Sequence, residues 1–363
     1  YIYEDGNDYG IGTVTRVVSI NGRLISVDPE LLDSYRVRNQ AVARHIFNVF
    51  CANGVSNLTI RNLQVIGSLK KSPTISSWVG NSLFFLDGQN ITVSQVSVED
   101  APADGIYIGA HDGVRVSQCR LKNIAQRAIH LAGHRGSGRM RGAIEGNTIS
   151  YAGDYGVYFC DNCRGLIVKG NIISDIGVYQ GAGGTIRTQE AAPVDARRFR
   201  FLRQLLPAYT RPAGIGGIGA GGDADNIIAE NIIYRVKGTG IAFQRWTTEN
   251  RPGRNMTVAG NVIFDIFGPG IFLYGANGVL VSGNNISSSQ TGVVVKKSIF
   301  CQLQGNLIRT ARTGIQIYSL MPDLWTEKNV IVNNTLVDCQ SSIVQNYFCR
   351  NNLIRDNYNF QSQ

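Results

Sequence analysis

Charged residues are scarce in this chain of 363 residues: Asp, Glu, Lys and Arg make up 17%, whereas apolar residues make up 43%. A disordered chain shows the opposite balance, so intrinsic disorder is excluded. No run approaches the roughly 18 consecutive apolar residues that a transmembrane helix needs. The sequence therefore predicts a folded protein with no membrane partner.

Glycine, in contrast, is abundant, with 42 residues against a usual share of about 7%. It does not recur at every third position, which excludes a collagen-like triple helix. Each Gly inside a helix costs about 1 kcal/mol relative to Ala, which disfavours a helical bundle. Many tight turns are the expected alternative.

A repeat is visible in short segments that begin with Asn or Gly, alternate apolar residues, and reach Gly-Asn or a near equivalent. Such an Asn suits a tight turn, where it tolerates left-handed φ, and a stack of them predicts an amide ladder. The longest spacing, between residues 171 and 231, predicts an insertion. The aligned positions are Asn62, Gln95, Gln118, Asn147, Asn171, Asn231, Asn261, Asn284, Asn306, Asn334 and Asn352.

A second series of short apolar-alternating strands interleaves with the first, so each unit contains at least two strands. A single short strand cannot bury its apolar face, but stacked coils bury it, with hydrogen bonds between coils spaced about 4.8 Å apart. The strands of this series follow Gly105, Ala128, Gly156, Gly184, Gly240, Gly270, Gly292 and Gly314.

This pattern, over about residues 45–356, resembles the right-handed parallel β-helix of pectin-lyase-like carbohydrate-active proteins. The resemblance implies an all-β, single-stranded right-handed parallel β-helix of about 10 to 11 coils. A β-propeller would have longer repeats, and the Leu spacing and helices of leucine-rich repeats are missing.

The predicted organisation has an N-terminal cap over residues 1–50, with a hairpin that turns at Asn21-Gly22. The β-helix domain follows over 51–356, with an insertion at 178–225, and residues 357–363 form a C-terminal tail. Within the insertion, residues 194–206 have helical spacing and precede the Gly-rich run 214–222. We expect that run to be a flexible loop and the insertion to be a movable flap over a groove.

Function on such a scaffold depends on outward polar side chains. The first outward positions of the second series are Tyr107, His130, Tyr158, Arg187, Ala242, Phe272, Val294 and Gln316. The next are Gly109, Ala132, Cys160, Gln189, Gln244, Tyr274, Lys296 and Tyr318. The concentration of His, Tyr and Arg predicts a functional groove; the alternative is a purely structural outer aromatic stack.

Tyr, His and Arg together suit proton abstraction next to a sugar carboxylate, because a base removes the proton while a cation neutralises the carboxylate. In this hypothesis His130 is the base, Tyr158 donates a proton, and Arg187 pairs with the uronate. The product is that of a polysaccharide lyase or a C5-epimerase. The predicted substrate-binding residues are Tyr107, His111, Asp112, His134, Gln244, Arg245, Trp246, Tyr274 and Lys296.

Mannuronan C5-epimerases of this fold carry an Asp-Pro-His-Asp motif. The similar segment here is Gly109-Ala110-His111-Asp112, which matches the last two positions only, so the resemblance extends to His111 and Asp112.

Two other activities fit the same scaffold. Asp161 and Glu190 follow consecutive strands, and such a carboxylate pair would serve a glycoside hydrolase or a fructotransferase. A non-catalytic glycan-binding or tailspike-like β-helix is the other alternative.

The net charge of +9 favours a polyanionic partner. No nucleic-acid-binding motif is present, so the sequence predicts an acidic polysaccharide and no nucleic acid. Cys160 and Cys163 lack the second pair that a zinc site needs, and no metal or other cofactor is predicted. Calcium assists many β-helix lyases, but no dense Asp/Glu loop assigns it here. The fold resemblance implies a secreted or extracytoplasmic location.

Overall fold

The computed structural model describes the greater part of the coil stack and fragments of the N-terminal region. The described residues are 2–3, 12–13, 16–21, 24–28, 42–43, 49–67, 84–101, 103–133, 140–160, 163–181, 184–187, 216–221, 224–244, 253–287, 290–319, 326–346 and 348–361.

Successive coils each contribute strands to three faces, which we number in chain order from the strand that carries His130. Face 1 contains Ile129–Gly133, Tyr155–Cys160, Gly216–Gly221, Thr239–Gln244, Ile271–Tyr274, Thr291–Lys296, Thr313–Tyr318 and Ser341–Gln345. Face 2 contains Met140–Glu145, Cys163–Lys169, Ile227–Ala229, Thr257–Ala259, Leu280–Ser282, Gln302–Gln304, Val330–Val332 and Leu353–Arg355.

Face 3 completes each coil, with Arg120–Ile124, Thr148–Ala152, Ile172–Ile176, Ile232–Val236, Val262–Ile266, Asn285–Ser287, Leu307–Arg309, Thr335–Val337 and Tyr358–Phe360. In the first coils four longer strands bend around the corners: Phe50–Ser56, Thr59–Ile66, Phe84–Ala101 and Ile106–Ser117.

Neighbouring coils pair in parallel and in register, so identical side-chain types stack inside the coil stack. Ile129 lies between Ile106 and Val157, and the same inward column continues through Ile218 and Ile241. These residues are all fully buried. Burial of β-branched side chains at every coil stabilises strands that are too short to be stable alone. The predicted all-β parallel β-helix is confirmed.

The amide ladder is present and lies at the corner between faces 2 and 3. Each Asn donates from Nδ2 to Oδ1 of the Asn one coil further on, at 2.9–3.0 Å. The members are Asn147, Asn171, Asn231, Asn261, Asn284, Asn306, Asn334 and Asn357. The prediction of Asn352 as the last member is wrong, because Asn352 accepts instead from Asn329 in a second ladder.

The left-handed residue of this corner is the one before the ladder Asn, with φ of 54–63°. Asn62, Gln95 and Gln118, which the repeat aligned with the ladder, occupy this turn position instead. The ladder Asn therefore satisfies buried backbone groups, while its predecessor makes the turn. The turn residues are Asn62, Gln95, Gln118, Gly146, Gly170, Glu230, Gly260, Gly283, Gly305, Asn333 and Asp356.

The Gly that precedes each face 1 strand allows a close approach rather than an unusual φ. A Cβ at Gly156 would lie 2.4 Å from Ile173 Cγ2 and 2.8 Å from the Gly217 carbonyl oxygen. At Gly292 a Cβ would lie 2.4 Å from Ile308 Cγ2. The glycine excess thus reflects tight packing of face 1 against face 3 as well as turns.

The insertion leaves the stack between faces 3 and 1 of one coil, because Ile172 pairs directly with Ile232. It begins with an antiparallel hairpin of Val178–Gly181 and Gly184–Arg187. The prediction of a flexible loop at 214–222 is wrong for Gly216–Gly221, which is a strand of face 1. That strand and residues 224–225 also shorten the insertion predicted at 178–225. The predicted helix at 194–206 lies outside the described residues.

The N-terminal hairpin is confirmed as Arg16–Asn21 paired with Leu24–Asp28, and the pairing of Asn21 with Leu24 moves its turn one residue further on. Ile2–Tyr3 pairs with Gly12–Thr13 and with Val42–Ala43. Thr326–Glu327 pairs with Cys349–Arg350 beside the stack. The predicted tail at 357–363 is wrong for residues 358–360, which pair with Thr335–Val337. In the part described, no helix is long and apolar enough to cross a membrane.

Candidate active site

Most of the predicted outward ladder on face 1 is observed. Tyr107, His130 and Tyr158 are direct neighbours in consecutive coils. The next position is Gly219, followed by Ala242. The prediction that Arg187 follows Tyr158 is therefore wrong: Arg187 pairs with Val178 in the hairpin that leaves the coil. The strand after Gly184 was mistaken for the one after Gly217, because both have the same apolar alternation.

His130 makes a close hydrogen bond to a buried carboxylate. Its Nδ1 lies 2.7 Å from Asp104 Oδ2, and both side chains are essentially inaccessible to solvent. Because an ionised carboxylate only accepts hydrogen bonds, Nδ1 carries the proton and Nε2 is the free acceptor of the ring. Asp104 thus orients the imidazole and sets its tautomer, as a carboxylate does for a catalytic base.

The imidazole lies between two tyrosine rings. Its centroid is 4.9 Å from that of Tyr107 and 5.3 Å from that of Tyr158, both in edge-on arrangements. On the Nε2 side, Cys160 Sγ lies 3.9 Å away. The expectation that His130 is exposed is wrong, since it points away from the inner core and is nevertheless fully buried. Tyr107 is half-buried and belongs to the outer edge of the cluster.

Arg127 links two carboxylates at the edge of the same cluster. Its Nη1 lies 4.0 Å from Asp104 Oδ2, and its Nε lies 3.4 Å from Asp154 Oδ2. The guanidinium also stacks over the Tyr158 ring at 4.8 Å. Burial alone would lower the pKa of Arg127, but the charges of Asp104 and Asp154 raise it, so the group remains a cation. Its buried Nε has no hydrogen-bond acceptor among the described residues.

Sequence reasoning missed Asp104, Arg127 and Asp154. All three lie in the turn just before a face 1 strand, ahead of Gly105, Ala128 and Gly156. The signal available was a charged residue at this point in three successive repeats. It was overlooked because only residues within and after the strands were considered.

The other predicted residues lie in different surroundings. Asp112 is at the corner between faces 1 and 2, where Arg141 donates to it from Nε at 3.1 Å and from Nη2 at 2.5 Å. These hydrogen bonds lower the pKa of Asp112. Tyr274 and Lys296 are neighbours on face 1, several coils beyond His130. The backbones of His111 and Gln244 are in strands, and their side chains lie outside the described set, as do Asp161, Glu190, His134, Arg245 and Trp246.

Two family models match different parts of the chain. "Right handed beta helix region" matches residues 35–196, and "Periplasmic copper-binding protein (NosD)" matches residues 223–363. With the parallel coil stack, these matches define the class of the molecule: it is a right-handed parallel β-helix protein.

Individual relatives are distant. The chain is 23% identical over 345 residues to an uncharacterized protein, YclG, of Bacillus subtilis (strain 168). That match covers 86% of the chain and 55% of YclG, so the chain spans about half the length of this relative.

Two solved structures show the same fold. The N-terminal fragment of bacteriophage Phi29 gene product 12 has a TM-score of 0.57 at 13% identity, and covers 86% of this chain and 53% of that chain. The periplasmic alginate epimerase AlgG has a TM-score of 0.50 at 14% identity, and covers 77% of this chain and 70% of that chain.

The residues present do not fit the copper site that the second family description suggests. Residues 223–363 contain no His. The thiols of Cys301, Cys339 and Cys349 are buried, and burial raises the pKa of each, which disfavours the thiolate that binds metals. Among the described residues, no three His, Cys, Asp or Glu side chains are placed to hold a metal ion.

Proposed function

We propose that this protein is a carbohydrate-active enzyme that acts on an acidic, uronate-containing polysaccharide by proton abstraction, as a lyase or a C5-epimerase. The observation that supports this most is the pairing of His130 with Asp104 between two tyrosines and beside Arg127. The alginate epimerase AlgG, which shares the fold, also acts on an acidic polysaccharide.

Each requirement of the reaction has a candidate group in this cluster. His130 Nε2 is the proton acceptor, because Asp104 holds Nδ1 in its protonated form. Arg127 is the cation that neutralises the uronate carboxylate, and its buried Nε is a donor to spare. Tyr158, which stacks on Arg127, returns a proton to the glycosidic oxygen or to the opposite face of the sugar.

Burial of His130 adds a condition to this mechanism. Since Tyr107 and Tyr158 flank the imidazole, the sugar reaches Nε2 when the half-buried Tyr107 ring moves aside. The low dielectric around the pair then strengthens the interaction of Arg127 with the substrate carboxylate.

A carboxylate-pair mechanism has less support within the described residues. Asp104 and Asp154 both lie near Arg127, and Asp104 is fully buried and committed to His130. A hydrolase or fructotransferase based on Asp161 and Glu190 stays a separate hypothesis. The relative in Phi29 likewise keeps a non-catalytic role as the alternative to an enzyme.

The reaction class is tested by incubating the protein with uronate polymers, and with neutral glucans and fructans, in deuterated water. A lyase generates the ultraviolet absorbance of an unsaturated uronate, and an epimerase incorporates deuterium at C5 without cleavage. New reducing ends with neither signal would contradict proton abstraction and favour hydrolysis or transfer.

The assigned residues are tested by Asp104→Asn and Tyr158→Phe, each of which changes one functional group. We expect Asp104→Asn to lower kcat by at least about a hundredfold, because it upsets the tautomer of His130. Tyr234→Phe is the matched control, since Tyr234 also stacks under an arginine, Arg235, but on face 3. Equal activity of Tyr158→Phe and the control would contradict the role of Tyr158.

We also propose an extracytoplasmic location. It is supported by the periplasmic setting named for both the NosD family and AlgG, and by the polymeric nature of the proposed substrate. Accessibility of the protein to an impermeant label in intact cells measures it.

A further inference from the structure

A second polar cluster lies on face 1, several coils beyond His130, and the proposed reaction does not use it. Lys296 ends the strand Thr291–Lys296 and pairs in register with Tyr274 on one side and Tyr318 on the other. Its Nζ lies 5.3 Å from the Tyr274 ring centroid and 5.0 Å from that of Tyr318. The ammonium group is therefore held between two phenol rings.

The next residue adds a second cation at the same point. Lys297 Nζ lies 3.4 Å from Tyr274 Oη and 5.5 Å from the centre of that ring. Its φ is 50°, and the equivalent residue one coil earlier is Gly275, with a φ of 63°. A lysine thus occupies a left-handed position that glycine fills more readily, and its side chain is directed toward the first lysine's aromatic partner.

These two cations have no anionic partner in the described part of the chain. No carboxylate there lies within 4 Å of either Nζ, whereas Lys122 pairs with Glu99 at 3.6 Å and Lys169 with Glu230 at 3.2 Å. Burial, and then the charge of Lys297, lower the pKa of Lys296. Two partly desolvated like charges repel each other unless an anion lies between them.

We propose that Lys296 and Lys297, with Tyr274 and Tyr318, form a subsite for the carboxylate of an acidic sugar. The tyrosines supply a ring surface and hydroxyl groups for the sugar, and the two ammonium groups supply the charge. This inference rests on the proposed function, since it names a distant binding point for the same polymer.

The fold sets the distance between the two sites. On face 1, Ala132 next to His130 is separated from Lys296 by the coils of Cys160, Gly221, Gln244 and Tyr274. Five coil steps of about 4.8 Å place the subsite about 24 Å away along the stack. Only an oligosaccharide of several sugars spans both sites, so affinity is expected to rise with chain length.

The test measures binding of uronate oligosaccharides of increasing length to the whole protein by calorimetry, without any readout of turnover. We expect the double variant Lys296→Gln/Lys297→Gln to weaken the binding of long oligosaccharides by roughly tenfold to a hundredfold. Lys122→Gln/Lys169→Gln is the matched control with the same loss of charge. Equal affinity of the double variant, the control and the unaltered protein would overturn the subsite.

Further arms separate the other outcomes. A sulfated neutral glycan that binds as tightly as the uronate, and loses as much affinity in the double variant, would contradict a carboxylate-specific subsite. The single variant Lys297→Gln provides the same comparison if the double variant does not fold. Loss of binding without any turnover by the unaltered protein would uphold the subsite and refute the proposed reaction; turnover with unchanged binding would do the reverse.

Discussion

Removal of one amide from the buried Asn ladder is expected to weaken the whole coil stack. Asn284 donates from Nδ2 to Val258 O at 2.9 Å and to Asn306 Oδ1 at 2.9 Å. Its Oδ1 accepts from the backbone N and from Nδ2 of Asn261. In Asn284→Ala the Asn261 backbone N–H loses this acceptor inside the protein, where water cannot easily replace it.

The size of the effect follows from these contacts. An unsatisfied buried donor costs about 1–3 kcal/mol, and the other lost hydrogen bonds add about 1 kcal/mol. Two partners keep other bonds: Asn261 Nδ2 still donates to Ile228 O, and Asn306 Oδ1 still accepts from the backbone N of residue 284. We therefore expect Asn284→Ala to lower the free energy of unfolding by about 2–4 kcal/mol.

The adjacent residue provides the control. Asn285 is exposed on the strand Asn285–Ser287, so Asn285→Ala makes the same chemical change at the surface. Urea unfolding measures the two free energies, and hydrogen exchange of the Asn261 amide reports the local effect. If Asn284→Ala is no more destabilising than Asn285→Ala, and the Asn261 amide keeps its protection, the ladder does not stabilise the fold as argued.

Two further predictions concern the site and its scaffold. Gly219→Ala places a Cβ 2.6 Å from Tyr155 Cε1 and 2.8 Å from Tyr158 Cδ2, so both rings must shift. Thermal unfolding and near-ultraviolet circular dichroism should show a loss of about 1–3 kcal/mol and a changed tyrosine signal; unchanged spectra would refute this packing. On face 3, burial would raise the pKa of Asp175, but hydrogen bonds from Arg235 and Ser174 lower it. This stabilisation is present above the ordinary pKa of 3.8 and is lost as the pH falls through the lowered value, so Asp175→Asn should flatten acid unfolding there; an unaltered pH profile would contradict it.

The coil repeat could be predicted because each coil repeats the same local demands. A strand of alternating apolar residues, a corner residue with left-handed φ and a buried amide recur at similar spacing. These demands act within one coil and its neighbours, so they appear directly in the sequence. The pairing of Tyr107, His130 and Tyr158 was predictable for the same reason.

The exact phase of the repeat was less accessible. Asn62, Gln95 and Gln118 were aligned with the ladder although they are turn residues, because Asn and Gln suit both positions chemically. Asn352 and Asn357 were confused because two amide ladders run along different corners. Only the hydrogen-bond partners distinguish such positions.

The insertion produced the largest error. Gly184 and Gly217 both precede alternating residues, and 33 residues separate them, so the sequence offered two candidates for one strand. The structure selects Gly216–Gly221, since small residues there leave space for the Tyr155 and Tyr158 rings. Arg187 consequently lies in a hairpin and not beside His130.

The sequence alone determined the stacked coils and the column of His and Tyr on one face, because period-two alternation and recurring turn residues are local properties. The tertiary structure decided which charges meet that column. Asp104, Arg127 and Asp154 are 23 and 27 residues apart along the chain and converge only when successive coils stack. The same stacking buries His130, since neighbouring coils place aromatic rings on both sides of it.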